Sequence, residues 1–249
     1  MAGHSHWANI KHKKARTDAK RGKVWGKCAK AIMVAAKNGG GDPDANLTLR
    51  YAVEEAKAAN MPRDTIARAI KKGSGELGGQ NFEDIRYEGY GIGGVAIIAD
   101  ALTDNRTRTV GEVRTAFTKF GGNMGDSGCV SYMFEKKGLI TLHEGKASEE
   151  QLMELAIEAG AEDVSLEDGI WTITTGPDEF LAVKEAVDES ELETTGAELT
   201  YVPTVLTEVS GDHVANIIKL IEALEESDDI QKVYTNMDAS AEALEEAMR

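Results

Sequence analysis

Between Gly138 and Tyr201 the chain carries a pattern that few folds accommodate: a short apolar run, an amphipathic segment, two more short runs, a second amphipathic segment and a final run. By periodicity these are a strand at 139–143, a helix at 148–159, strands at 163–167 and 170–175, a helix at 178–189 and a strand at 196–202. That βαββαβ order closes one sheet with both helices on a single face, the ferredoxin-like arrangement. The unit is complete in itself. Strands expected near 84–90, 94–101, 129–135 and 230–235, with helices at about 107–120 and 212–226, lie on either side of it. They make a second α/β domain only if they join across the intervening unit. The reading is therefore an α+β chain in which residues 136–205 are inserted into a discontinuous α/β domain, 81–135 with 206–237, followed by an acidic tail at 238–249.

Ahead of these lies a different kind of sequence. Residues 1–21 are polar, rich in Lys and His and poor in large apolar groups, and are expected to form a flexible basic arm. From Gly22 the period becomes helical. Val24, Trp25, Cys28, Ala31, Ile32 and Ala35 fall on one face before Asn38-Gly39-Gly40-Gly41 stops the element. Asp42 is expected to cap a second helix with Pro43 at its first position, running to about Asn60, and Pro62 to open a third that ends at Lys71-Lys72 with Gly73 as its C-cap. Residues 22–75 thus form a three-helix domain, joined to the rest by the Gly-rich stretch 73–79.

The charge is distributed as unevenly as the structure. The 249 residues carry a net charge of -15, which by itself argues against a polyanion partner. Yet residues 1–40 hold ten Lys/Arg against the single acid Asp18, and residues 41–80 hold six of each. Such segregation points to nucleic acid or another anionic surface at the basic end. On the first helix Lys20, Lys23, Lys27, Lys30 and Lys37 gather into a stripe roughly 100° wide, offset from the apolar face and expected to be free for phosphates. Lys11, Lys13, Lys14, Arg16 and Arg21 extend it along the arm. Lysines arranged this way bind by releasing counterions, so affinity should fall with salt. Trp7 is either a base-stacking platform or an anchor that folds back on the helical domain. Arg106, Arg108 and Arg114 either enlarge the surface or pair locally with Asp104 and Glu112.

Catalytic constellations do not assemble. His4, His6 and His12 sit in the arm, His143 and His213 elsewhere, and no Ser/His/Asp set, Cys/His pair, metal-ligand spacing or phosphate loop accompanies them. Gly89-Tyr90-Gly91-Ile92-Gly93-Gly94 lies between two strands, so it reads as a hairpin and not as a phosphate loop before a helix. Gly121-Gly122 reads as a C-cap and loop. Cys28 and Cys129 read as reduced structural thiols. With Met1 removed, Ala2-Gly3-His4 has the donor set of a square-planar Cu(II) or Ni(II) site, read here as incidental. No enzyme activity, metal or cofactor is expected. No apolar run approaches the roughly 18 residues of a membrane span and no secretory leader is evident, so a cytoplasmic protein without membrane contact is expected.

Several segments resemble the YebC family: Gly3-His4-Ser5-His6-Trp7-Ala8-Asn9-Ile10-Lys11-His12-Lys13-Lys14, Gly39-Gly40-Gly41-Asp42-Pro43, Ala56-Lys57-Ala58-Ala59-Asn60-Met61-Pro62 and Arg68-Ala69-Ile70-Lys71-Lys72-Gly73. So do Tyr87-Glu88-Gly89-Tyr90-Gly91, Thr103-Asp104-Asn105-Arg106-Thr107-Arg108-Thr109 and Gly128-Cys129-Val130-Ser131-Tyr132-Met133-Phe134. The resemblance implies a three-domain protein, one domain helical and two α/β, in a family described as DNA-binding transcriptional regulators. Its mitochondrial members activate translation of a cytochrome oxidase subunit, and others act at the ribosome. Two targets follow as expectations, ribosomal RNA and DNA. A lysine stripe reads phosphates without reading bases and so does not choose between them, while the lack of a helix-turn-helix or other dedicated base-reading motif tilts the reading towards RNA and the ribosome. Residues 136–205, with four Lys/Arg against seventeen Asp/Glu, offer a further surface for a protein partner.

Overall fold

The structure is a computed structural model that describes residues 18–78, 81–146, 148–167, 169–190 and 192–247. Three helices come first: α1 (Asp18–Gly39), α2 (Leu47–Ala58) and α3 (Arg63–Gly73). Cys28, Ile32, Ala35 and Ala36 of α1 pack on Leu49, Ala52, Val53 and Ala56 of α2 and on Ile66 and Ala69 of α3. Small residues let α1 and α3 approach closely. A Cβ at Gly73 would lie 2.4 Å from the Met33 carbonyl oxygen and 2.8 Å from the Ala36 Cβ, so only glycine fits there.

Three details differ from the sequence reading. Helix α2 begins at Leu47, not Pro43, because Asp42–Ala45 closes a turn and Asn46 takes the cap. The buried Asn46 accepts from the Leu49 amide at 3.1 Å and donates to the Ala35 and Gly40 carbonyls at 2.8 Å, so it joins the start of α2 to the end of α1. Gly73 remains helical with Ser74 as cap, and the left-handed residue is Gly75 at φ 90°. Val24 is 43% exposed, since α2 and α3 cover α1 only from Trp25 onward.

The central sheet has the order β3-β1-β2-β9, with every pair antiparallel: β1 (Glu83–Tyr90), β2 (Ala96–Thr103), β3 (Asn123–Met124) and β9 (Ile230–Thr235). The glycine run closes the β1–β2 hairpin, with Gly93 and Gly94 at positive φ. Helices α4 (Arg106–Lys119) and α7 (Asp212–Glu225) cover one face, where Ile97, Ala99 and Ala101 meet Val113, Phe117, Ile217 and Leu220. Ala96 and Ile98 point the other way, onto Val130 and Phe134. Burial on both faces explains why β2 is apolar almost throughout.

The second sheet comprises β4 (Phe134–His143), β5 (Asp163–Glu167), β6 (Ile170–Thr175) and β7 (Thr194–Pro203) in the order β5-β6-β4-β7, again antiparallel. Helices α5 (Glu149–Glu158) and α6 (Phe180–Glu189) pack their Leu152, Ala156, Phe180, Val183 and Val187 on Ile140, Leu142, Trp171 and Ile173. This is the ferredoxin-like order, and it interrupts the central sheet between β3 and β9. The expected strand at 129–135 is not formed: Ser131–Met133 is a single 3-10 turn, and β4 starts at Phe134 as part of the inserted sheet. The acidic tail is also more than a tail. Strand β8 (Thr207–Glu208) pairs in parallel with β10 (Met237–Asp238), and α8 (Ala241–Ala247) buries Leu244 in the core beneath α7.

Candidate nucleic-acid interface

Of the candidate residues, Trp7, Lys11, Lys13, Lys14 and Arg16 lie outside the described residues, as do the side chains of Lys20 and Arg21. The remaining stripe lysines are placed: Lys23, Lys27 and Lys30 turn towards another element of the fold, and Lys37 is exposed. Helix α1 runs beside the C-terminal end of α7. Lys23 donates to the Glu226 carbonyl and stands 3.8 Å from the Asp228 carboxylate. Lys27 donates to the Glu225 carbonyl at 3.0 Å, and Lys30 to the Asp228 carbonyl at 2.9 Å. Lys30 also pairs with Asp229 Oδ1 at 2.9 Å and lies 5.5 Å from the centre of the Phe82 ring. Lys37 donates to Asn81 Oδ1 at 2.8 Å. The expectation of a free stripe is corrected on this point, and the reason is electrostatic. A helix C-terminus presents unpaired carbonyls and about half a negative charge, which lysine ammonium groups satisfy.

Asp229 is the centre of this contact. It is 4% exposed and accepts from Lys30, from the Thr103 and Thr109 hydroxyls at 3.1 and 2.9 Å, and from Arg108 Nη2. Burial works against its charge, but the hydrogen bonds from Arg108, Lys30 and Thr109 prevail and hold its pKa down at about 2. Arg108 also pairs with Asp104 at 3.0 Å, so the local-pairing reading applies to it. Arg106 and Arg114 are exposed, and no ion pair of either is seen among the described residues. A cleft of about 680 Å³ lies beside the contact, lined by Lys30, Phe82, Arg108, Glu112, Ser227 and Asp229.

Two ties away from the stripe hold the helical domain in place. Lys232 of β9 reaches Glu55 of α2 at 2.9 Å and Glu198 of β7 at 3.3 Å. Burial disfavours its charge, and the two carboxylates overcome this and raise its pKa. The Tyr51 hydroxyl donates to the Pro177 carbonyl at 3.0 Å, and its ring lies 6.0 Å from that of Phe180. Periodicity cannot show the Lys232–Glu55 and Tyr51–Pro177 pairs, because each joins residues more than a hundred positions apart. Exposed Arg63, Arg68 and Lys71 of α3 are further cations that the sequence reading did not assign to the surface.

Across the sheet, the buried carboxylate of Glu88 accepts from the amides of Gly128, Val130 and Ser131, each at 2.8 Å. Those amides are thereby withdrawn from any strand ladder, which is why 129–133 is a loop. It holds Tyr132 72% exposed. Burial pushes the Cys28 thiol up to about 11 and also raises that of Cys129, which disfavours the thiolate of both. Among the described residues no group of three His, Cys, Asp or Glu could hold a metal ion, and no helix is long and apolar enough to cross a membrane.

Two family models account for nearly the whole chain: the TACO1/YebC protein N-terminal domain over residues 5–76, and the TACO1/YebC second and third domain over residues 82–237. The chain belongs to the TACO1/YebC family. It is 52% identical to a "Probable transcriptional regulatory protein" of Geobacter sulfurreducens, covering 100% of both chains. It is 55% identical to one of Thiobacillus denitrificans, over 95% of this chain and 98% of the relative. The crystal structure of a conserved hypothetical protein from Aquifex aeolicus has a TM-score of 0.83 and 49% identity, covering 94% of this chain and 97% of the other. Segments that carry the resemblance fall on structural joints: Glu88 receives the amides of Gly128, Val130 and Ser131, and Thr103 and Thr109 bond Asp229.

Proposed function

We propose that the protein is a non-enzymatic, nucleic-acid-binding regulator of gene expression, gripping the phosphate backbone through its first forty residues. The observation that carries this reading is the segregation of charge: ten cations against one acid in residues 1–40 of a chain whose net charge is -15. Lys11, Lys13, Lys14, Arg16, Lys20 and Arg21 lead the contact, with Lys23, Lys27, Lys30 and Lys37 continuing it along α1. The exposed Arg106 and Arg114 extend it on α4.

Replacing Lys23, Lys27 and Lys30 with Gln should weaken binding by a similar factor on every probe sequence. The plot of log affinity against log salt should flatten by about 0.9 per lost contact on duplex DNA, or about 0.7 on single strands. An unchanged slope on a folded variant would remove α1 from the site.

The target proposed is ribosomal RNA, because the sequence offers no helix-turn-helix or other dedicated base-reading motif and no symmetry element for a palindromic operator. The second reading, a transcriptional regulator on DNA, is favoured by what the bacterial relatives are called. Sedimentation of lysate through sucrose separates the two. Comigration with ribosomes at low salt and release at high salt is the result expected for the first, and absence from ribosomal fractions supports the second.

A further inference from the structure

We infer that the docked helical domain is a self-masked state, in which the C-terminal end of α7 occupies the phosphate sites of α1 and must leave before nucleic acid is gripped. This rests on the function proposed above and concerns the regulation of that same surface. The chemistry of the masking group is that of a phosphate. Lys23, Lys27 and Lys30 sit at i, i+4 and i+7, and between them they meet three main-chain carbonyls and the carboxylates of Asp228 and Asp229. These are oxygen acceptors on a negatively charged helix end, the same kind of partner a phosphodiester offers. An α1 that contacts phosphate with these lysines therefore gives up α7.

The interface is built to come apart. The core of the helical domain closes on itself, from Trp25 to Ile70, and shares no apolar cluster with the central sheet. Among the described residues, Tyr51 is its one side chain packed on another domain's core, that of the inserted unit. What remains is polar: the lysine contacts, Glu55 with Lys232, and the Tyr51 hydroxyl on Pro177. The partly exposed contacts, at Lys23 and between Glu55 and Lys232, are screened by salt and individually weak, so the buried Lys30–Asp229 pair is the strongest tie that undocking must break. The connection to β1 passes through Gly75 and Gly78, both at positive φ, where the backbone can turn freely. The protein thus binds with its intrinsic affinity multiplied by the fraction of molecules that are undocked.

Glu55 and Tyr51 lie away from the stripe, so the dock can be loosened without touching it. The test compares four full-length proteins: wild type, Glu55→Gln with Tyr51→Phe, the Lys23/Lys27/Lys30→Gln triple, and the combination. Each is titrated into a labelled mixed-sequence RNA oligomer at fixed salt, and its radius of gyration is measured by small-angle scattering. The loosened protein should be larger and bind at least about threefold tighter. The triple should cost more affinity in the loosened background than in wild type, where the same change also frees the dock. A loosened protein that expands yet binds no tighter, while the triple still weakens binding, would overturn the masking and leave the binding surface intact. A triple without effect in both backgrounds would overturn the surface itself. Failure to expand in this variant and also in Glu55→Lys, whose new charge repels Lys232, would show the dock to be permanent and end the proposal.

Discussion

Asp229→Ala is expected to lower the stability of the chain by about 3 kcal/mol, roughly 10 °C in melting temperature for a protein of this length. The carboxylate is the shared acceptor of Lys30, Arg108, Thr103 and Thr109. Removing it leaves the buried Thr103 and Thr109 hydroxyls without their carboxylate acceptor and Lys30 without its paired carboxylate, while Arg108 keeps only Asp104. Acid should act in the same direction. An unfolded aspartate titrates near 3.8, and this one in the fold titrates at about 2. A depressed carboxylate contributes its stability in full above the unfolded value and loses it as pH falls through the folded one, so the window is 3.8 down to about 2. Over that window the wild type should lose about 2 kcal/mol more than Asp229→Asn. Parallel acid-unfolding curves for the two proteins would show that the carboxylate is not what the surrounding groups hold.

Glu88→Ala should cost a comparable amount, about 3 kcal/mol, by leaving the amides of Gly128, Val130 and Ser131 without an acceptor next to the apolar floor of Ala96, Ile98 and Val130. Gln is no rescue, because its NH2 group would aim a donor at donors. Burial raises the Glu88 pKa, but the Ser131 hydroxyl and the three amides outweigh it and the value is lowered, so this contribution too is present at neutral pH and lost in acid. Hydrogen exchange gives the decisive readout. Protection of the three amides should collapse in Glu88→Ala, with the inserted sheet unaffected. Uniform loss across the molecule, or none, would contradict the role given to this carboxylate.

Local order was legible wherever local chemistry decides it. The inserted sheet has the six elements that period-2 and period-3.6 patterning indicate, because each strand alternates Leu, Ile or Trp against a single helical layer. Where two local signals competed, the sequence misled. Asp42-Pro43 and Asn46 are both acceptable helix starts, and Asn46 prevails only because Ala35 and Gly40 lie within its reach. The Val130 region looks like a strand by composition, yet Glu88, forty positions earlier, takes its amides. The lysine stripe is the largest case. Its position on α1 follows from spacing, but what it faces depends on the end of α7, some two hundred residues away. Asp228 and Asp229 carried no mark in the sequence that set them apart from the other acids of an acidic chain.

The placement of Lys232 and the 225–229 turn near the end of the chain gives the fold a direction in time. A ribosome makes the helical domain first and the inserted sheet next, and strand β9 follows only after residue 230. Until then β2 lacks one neighbour, and before residues 225–232 are made the groups that receive Lys23, Lys27, Lys30 and Glu55 do not exist. During synthesis the lysine face of α1 therefore has no internal partner, although its three-helix core already has every residue it needs. The basic face of α1 thus meets the RNA-rich surroundings of the ribosome about two hundred residues before the 225–229 turn that receives it is made.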